Sequence, residues 1–126
     1  MVVHGRVGMD EISPQGVTDV WEVKDGSVRT WEIEPERYRL GIADVGSLMG
    51  GEPAANAERL ERILGNGAAD PTGLAAVLLN AGAAIYVAGI AGSLAEGIGR
   101  AREVVASGAA RAALDRLRKA TASISG

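Results

Sequence analysis

Residues 17–35 read VTDVWEVKDGSVRTWEIEP, and this stretch decides the fold. Its two arms, residues 17–23 and 28–34, are rich in β-branched and aromatic side chains and flank Lys24-Asp25-Gly26-Ser27. An Asp-Gly step between two such arms suits the positive φ angles of a tight hairpin turn. In the first arm Val17, Trp21 and Val23 share a parity, and in the second Trp31 and Ile33 share one, so alternation puts each set on one face of its strand. Glu22, Arg29 and Glu32 are interspersed, which predicts a half-exposed hairpin with Trp21 and Trp31 paired across the strands. Pro35 ends it.

Upstream of the hairpin, Val2-Val3 is a short β-branched run, Gly5 and Gly8 loosen the backbone, Asp10-Glu11 is an acidic pair, and Ser13-Pro14-Gln15-Gly16 is a turn signal. The first strand lacks polar alternation and reads as buried on both faces, among neighbours outside this chain. Downstream, from about Gly50, the period becomes helical. Residues 53–64 put Ala57, Leu60, Ile63 and Leu64 on one stripe. Asp70-Pro71 reads as an N-cap followed by proline at the first helical position, where its missing N–H costs nothing. The uncharged helix that follows, to about Ala88, carries Val77, Leu78, Ile85 and Tyr86 among small residues, so other backbones should press against it. Ser93-Leu94-Ala95-Glu96 is a capping box. It opens a helix with Leu94, Ile98, Ala101 and Val105 inward and Gly108 at its end. A last helix, residues 109–120, turns Ala113, Leu114 and Leu117 inward and its basic residues outward, with 121–126 frayed. The expected fold is an α/β fragment: a short buried strand plus an antiparallel hairpin, the remnant of a mixed sheet, packed with about four helices. Its parts are a strand and acidic loop over 1–16, the hairpin over 17–35 and a helical part over 50–122.

The chain has 126 residues, one domain's worth, and can bury a core without staples. It has no Cys and one His, which excludes a disulfide framework, a thiolate zinc site, a cysteine nucleophile and a His-rich metal centre. Thirteen Lys and Arg against sixteen Asp and Glu give a net charge of −3, with no basic patch of the kind that releases counterions from nucleic-acid phosphates. The one basic cluster, Arg111, Arg116, Arg118 and Lys119, reads as a solvated helix face. Residues 1–6, Met-Val-Val-His-Gly-Arg, lack the long apolar stretch expected of a secretory signal. Residues 73–92 are uncharged and near bilayer length, but they are rich in Ala and Gly, carry Asn80 and lack anchoring ends. They read as a buried helix. Neither nucleic acid nor a membrane is an expected partner, and the expected home is cytoplasmic.

The chemistry is carried by His4-Gly5-Arg6-Val7-Gly8-Met9-Asp10-Glu11. Two adjacent carboxylates after a strand and a flexible loop offer hard oxygens to Mg²⁺, which keeps several waters and binds through one or two carboxylates plus substrate phosphates. Acidic dipeptides also commonly face solvent, and spacing alone leaves both readings open. His4 either contacts substrate near the reacting centre or fixes the loop from a strand end, the structural role being the plainer. Asn80 reads as a satisfied buried amide bonding a loop backbone, Tyr86 and Met49 as core, and Gly50-Gly51 as a helix entry without the Gly-x-Gly-x-x-Gly spacing of a phosphate cradle.

His4-Gly5, Gly8 and Asp10-Glu11, followed by Ile12-Ser13-Pro14 and Gly16, resemble the His-Gly-x-x-Gly-x-Asp-Glu segment of the anthranilate phosphoribosyltransferase family. The resemblance continues in order through Gly50-Gly51, Asn56-Ala57, Leu79-Asn80-Ala81, Ala84-Ile85-Tyr86-Val87-Ala88-Gly89, Ser93-Leu94-Ala95-Glu96-Gly97 and Ser107-Gly108-Ala109. It covers essentially the whole chain. That family transfers phosphoribosyl from phosphoribosyl pyrophosphate to the amino nitrogen of anthranilate, in tryptophan biosynthesis. The resemblance implies that Asp10 and Glu11 hold Mg²⁺, Glu11 bridging two ions, to stabilise the departing pyrophosphate. Where the family often has Asp before the central Gly, this chain has Val7, which lowers local negative charge and should weaken metal binding. The family's glycine-rich phosphate loop, its Lys/Asn/Ser segment, its helical N-terminal domain and its anthranilate-binding residues lie upstream of the His-Gly motif. None of them is present here. The resemblance therefore implies a C-terminal third with negligible activity alone, its partner being the upstream segment. The alternative, from a different class, is a non-catalytic module that self-associates or recruits a partner through an exposed sheet edge.

Overall fold

The Asp25-Gly26 step closes the hairpin as its chemistry requires, with φ of 51° and 74°, the two positive values of the turn that matches strand twist. In the computed structural model, which describes residues 1–65 and 67–123, three strands form one sheet. They are β1 (Val2–Gly5), β2 (Thr18–Lys24) and β3 (Ser27–Ile33), in the order β1-β2-β3. The sheet is antiparallel throughout rather than mixed, because β1 returns through the residue 6–17 loop to lie against β2.

The register corrects the expected tryptophan pair. Val20 lies opposite Trp31 and Trp21 opposite Thr30, so the two tryptophans point to opposite faces and do not pair. The core-facing set of β2 is Thr18, Val20 and Glu22, all buried, while Trp21 and Val23 are 42% and 67% exposed. Hydrophobicity alone favours the other parity. The observed one prevails because Glu22 finds a full set of partners beneath the sheet, described below. Val2 is also exposed, at 64%, and β1 has a strand partner on one edge only. On the outer face Asp19 lies directly opposite Glu32, a like-charge pair that is unfavourable by itself. Arg6 resolves it, placing Nη2 2.6 Å from Asp19 Oδ1 and reaching Glu32 with the same nitrogen.

Two short 3₁₀ turns, Pro35–Tyr38 and Val45–Leu48, lead to α1 (Pro53–Gly65), α2 (Pro71–Val87), α3 (Leu94–Ala106) and α4 (Ala109–Ala122). The caps follow the sequence. Asp70 accepts from the Gly73 N–H at 2.8 Å and takes Arg59 of α1 at 2.6 Å, tying the first two helices. Ser93 accepts from the Glu96 N–H at 3.2 Å, while the Glu96 carboxylate reaches one residue beyond the cap, to the Gly92 N–H at 2.9 Å. Leu78 and Leu79 of α2 centre a core that includes Ile12, Val20, Ile33, Leu94, Ile98 and Ala101. The small residues act as expected: a Cβ on Gly97 would lie 2.2 Å from the Gly82 carbonyl oxygen, so α2 and α3 touch backbone to backbone.

The outer helices depart from their apolar stripes. In α1 only Ile63 is buried, Leu60 being 39% exposed. In α4 Ala113 is exposed and Leu117 is 60% exposed, because this helix packs by charge as well. Arg111 lies 3.2 Å from Glu61 of α1, and Arg118 binds the same carboxylate, so two of the four basic residues are paired rather than simply solvated. Met49, expected in the core, is 80% exposed because it follows a 3₁₀ turn with no buried residue. Helix continues through Thr121 and Ala122, with Ser123 as its C-cap; the rest of the expected fray, 124–126, lies outside the described residues. Among the described residues no helix is long and apolar enough to cross a membrane.

Candidate functional site

The acidic loop is held by its backbone at both ends. On the β1 side, the Gly5 carbonyl accepts from the Gly8 and Met9 N–H groups at 2.8 and 3.2 Å, and the Gly5 N–H donates to the Met9 carbonyl at 2.8 Å. Gly8 makes this turn at φ 93°, a conformation that glycine adopts without strain. On the far side, the Ile12 N–H donates to Asn80 Oδ1 at 3.0 Å, and Asn80 Nδ2 donates to the Ile12 carbonyl at 2.9 Å and to the Ala76 carbonyl at 3.0 Å. The expected satisfied amide is thus present, and its loop partner is Ile12. Next, the Ser13 N–H donates to Thr18 Oγ1 at 3.0 Å, and the Pro14 carbonyl accepts from the Ile42 N–H at 2.9 Å.

Asp10 and Glu11 occupy the two positions between these anchors. Both are exposed, and neither side chain makes a hydrogen bond or ion pair among the described residues. His4 lies on the exposed outer face of β1, opposite Asp19. Its side chain likewise has no hydrogen-bond partner among the described residues, so the loop is fixed by Gly5, Thr18 and Asn80 instead. No group of three or more His, Asp and Glu side chains that could hold a metal occurs among the described residues. The pair is therefore no closed cage. A Mg²⁺ ion that takes one or two carboxylates and fills its other positions with water and phosphate oxygen needs no such cage.

A second polar centre went unseen in the sequence. The Glu22 carboxylate, 5% exposed, accepts from the Tyr86 hydroxyl at 2.6 Å, from Trp31 Nε1 at 2.9 Å and from Arg29 Nε at 2.9 Å. Arg29 also donates to the Tyr86 oxygen at 3.1 Å. These donors hold the Glu22 carboxyl below the usual carboxylate range, Tyr86 first, against the opposing effect of burial. A cleft of about 350 Å³ beside it is lined by Met1, Lys24, Tyr86 and Gly92 among others, and not by Asp10 or Glu11. The one signal available was that Glu22 shares its parity with Thr18 and Val20.

A strand, an acidic loop, a hairpin and a close α2–α3 pair define the class to which the chain belongs. Residues 1–111 match the glycosyl transferase family, a/b domain, and the chain is a member of that family. Over 121 residues it is 46% identical to the anthranilate phosphoribosyltransferase of Dechloromonas aromatica, an alignment covering 96% of this chain and 35% of that protein. Among solved structures, anthranilate phosphoribosyltransferase from Saccharomyces cerevisiae in complex with 4-fluoroanthranilate superposes with a TM-score of 0.81 at 28% identity, covering 96% of this chain and 35% of that one. The yeast protein in complex with PRPP and Mg gives 0.76 at 29% identity, covering 90% and 32%. The likeness is the one that the motifs carry, and the chain spans about a third of the length of these relatives.

Proposed function

We propose that this chain supplies the acidic loop of an anthranilate phosphoribosyltransferase. In this reading Asp10 and Glu11 hold Mg²⁺ against the diphosphate of phosphoribosyl pyrophosphate, and turnover needs the part of such a protein that this chain does not match. One observation carries the reading: two carboxylates without protein partners, set between the anchored residues Met9 and Ile12, in a chain closely similar to such enzymes. When bound, Mg²⁺ supplies charge neutralisation at a departing diphosphate. The protein's own contribution is to fix the backbone from which the hard oxygens project, since an aromatic amine attacking an anomeric carbon needs positioning more than activation. Glu11 is the candidate for bridging a second ion. His4, exposed at the entrance to the loop, is free to meet substrate.

The unpaired edge of β1 and the exposed Val2, Trp21, Val23 and Val28 on the outer sheet face favour a second reading, a module that associates by sheet pairing. One experiment separates the two. The chain is mixed with the unmatched portion of the Dechloromonas aromatica relative, and consumption of anthranilate is followed with PRPP and Mg²⁺ present. The expected result is no turnover by the chain alone and turnover by the mixture. Asp10→Ala and Glu11→Ala should each lower that turnover by about tenfold or more, the equivalent of roughly 1.4 kcal/mol of transition-state stabilisation. An unchanged rate in both variants removes the metal role. Complex formation without turnover selects the association module.

A further inference from the structure

We infer that Asn80 is a positioning residue for the carboxylate pair: its amide, carried on the most buried helix, fixes the backbone from which Glu11 and Asp10 project. This rests on the metal reading proposed above. Asn80 bonds both polar groups of one peptide-bearing residue, the N–H and the carbonyl of Ile12, at 3.0 and 2.9 Å. A side-chain amide donates from its nitrogen and accepts at its oxygen at once. Its remaining donor bonds the Ala76 carbonyl at 3.0 Å, which locks the amide to its own helix and leaves one orientation. Ile12 itself is 1% exposed, so in the parent chain its backbone groups depend on the amide rather than on solvent. The helix cannot slide either, because Gly82, two residues on, sits in contact with the α3 backbone at Gly97 and Ile98. Asn80 is therefore a fixed point, and the loop is tied to it at the residue next to Glu11. The other tie, Gly5 to Met9, stands next to Asp10. With both, the carboxylates span a gap of two residues between anchors. Without Asn80 the nearest backbone hydrogen bond on that side recedes to Ser13, held by Thr18, and Ile12 is held by its core side chain alone, its peptide groups free to turn. Pre-set ligands bind an ion better than ligands that must first be ordered, since ordering costs conformational entropy.

The test uses the chain with Mn²⁺ as probe and reads paramagnetic broadening of the Asp10 and Glu11 amide signals. In the parent chain both should broaden, and Asn80→Ala should raise the Mn²⁺ midpoint by about threefold or more while the methyl signals of Leu78 and Leu79 stay in place. Ile98→Val, a core truncation with no bond to the loop, should weaken the fold without moving that midpoint. If Asn80→Ala does not fold, hydrogen exchange in the parent decides: the Ile12 amide must exchange as slowly as the core of α2. An Ile12 amide that exchanges as fast as an exposed one overturns the inference. So does a midpoint that Asn80→Ala leaves unchanged, in which case the metal reading still stands. Absence of any broadening in the parent overturns the metal reading itself.

Discussion

Gly97→Ala should cost this chain about 3 kcal/mol or more, at the upper end of what overpacking a well-filled interior costs. For a chain of this length that is a fall of roughly 10 °C in Tm. The added methyl would lie 2.2 Å from the Gly82 carbonyl oxygen and 3.0 Å from its carbon. Both are backbone atoms, so no side chain can rotate away, and α2 and α3 must separate. Separation loosens the contacts of Leu78, Leu79 and Ile98, which are almost fully buried. Gly99→Ala is the matched control. It lies on the same helix, its Cβ would meet nothing within 4 Å, and it should gain up to about 1 kcal/mol from helix propensity. Both variants share that propensity gain, so their difference isolates the packing. Thermal unfolding followed by circular dichroism reads it. Equal stability of the two would mean that the helices do not pass at this distance.

The second large effect is expected at Glu22. Glu22→Ala removes an acceptor shared by Tyr86, Trp31 and Arg29, and should cost about 3 kcal/mol, the scale for leaving buried polar groups without partners. Glu22→Gln keeps the shape and one oxygen acceptor but removes the charge, and should cost less. The two also differ in how stability depends on pH. The folded protein holds the Glu22 carboxyl below its ordinary range, chiefly through the Tyr86 hydroxyl and then through Arg29 and Trp31. The unfolded chain binds a proton there more readily. The resulting stabilisation is complete above the ordinary glutamate range and declines as pH falls through that range toward the lower folded value. Urea midpoints measured from about pH 6 to about pH 3 should therefore drop more steeply in the parent than in Glu22→Gln. Parallel curves would show that Glu22 carries no such linkage.

How far the sequence can be read is decided by distance along the chain. The Asp25-Gly26 turn, the Asp70 and Ser93 caps and the Gly108 stop are local devices, and each forms where its residues predict. The face of β2 is not local. Glu22 turns inward because Tyr86, 64 residues away, offers it a hydroxyl, and nothing within the hairpin announces that donor. Hydrophobic alternation groups Trp21 with Val23 but does not say which face of the strand meets the core. The outer helices misled for a related reason: Arg111 and Arg118 find Glu61 on α1, so α4 holds to its neighbour with Leu117 still exposed. At the candidate site, the acidic pair and the need for glycine at Gly8 were legible, and Asn80 could be read as a satisfied amide. Its partner could not, since Ile12 lies 68 residues upstream.

The opposed tryptophans have a practical consequence. With Trp31 against the core and bonded to Glu22, and Trp21 on the outer face of the sheet, each side of the hairpin carries its own fluorophore, and the chain has no others of this kind. A Trp31→Tyr variant would leave an emission that responds when something covers the valine-rich face. A Trp21→Tyr variant would leave one that responds when the interior loosens. Docking and unfolding can thus be followed as separate optical signals, without attaching a dye.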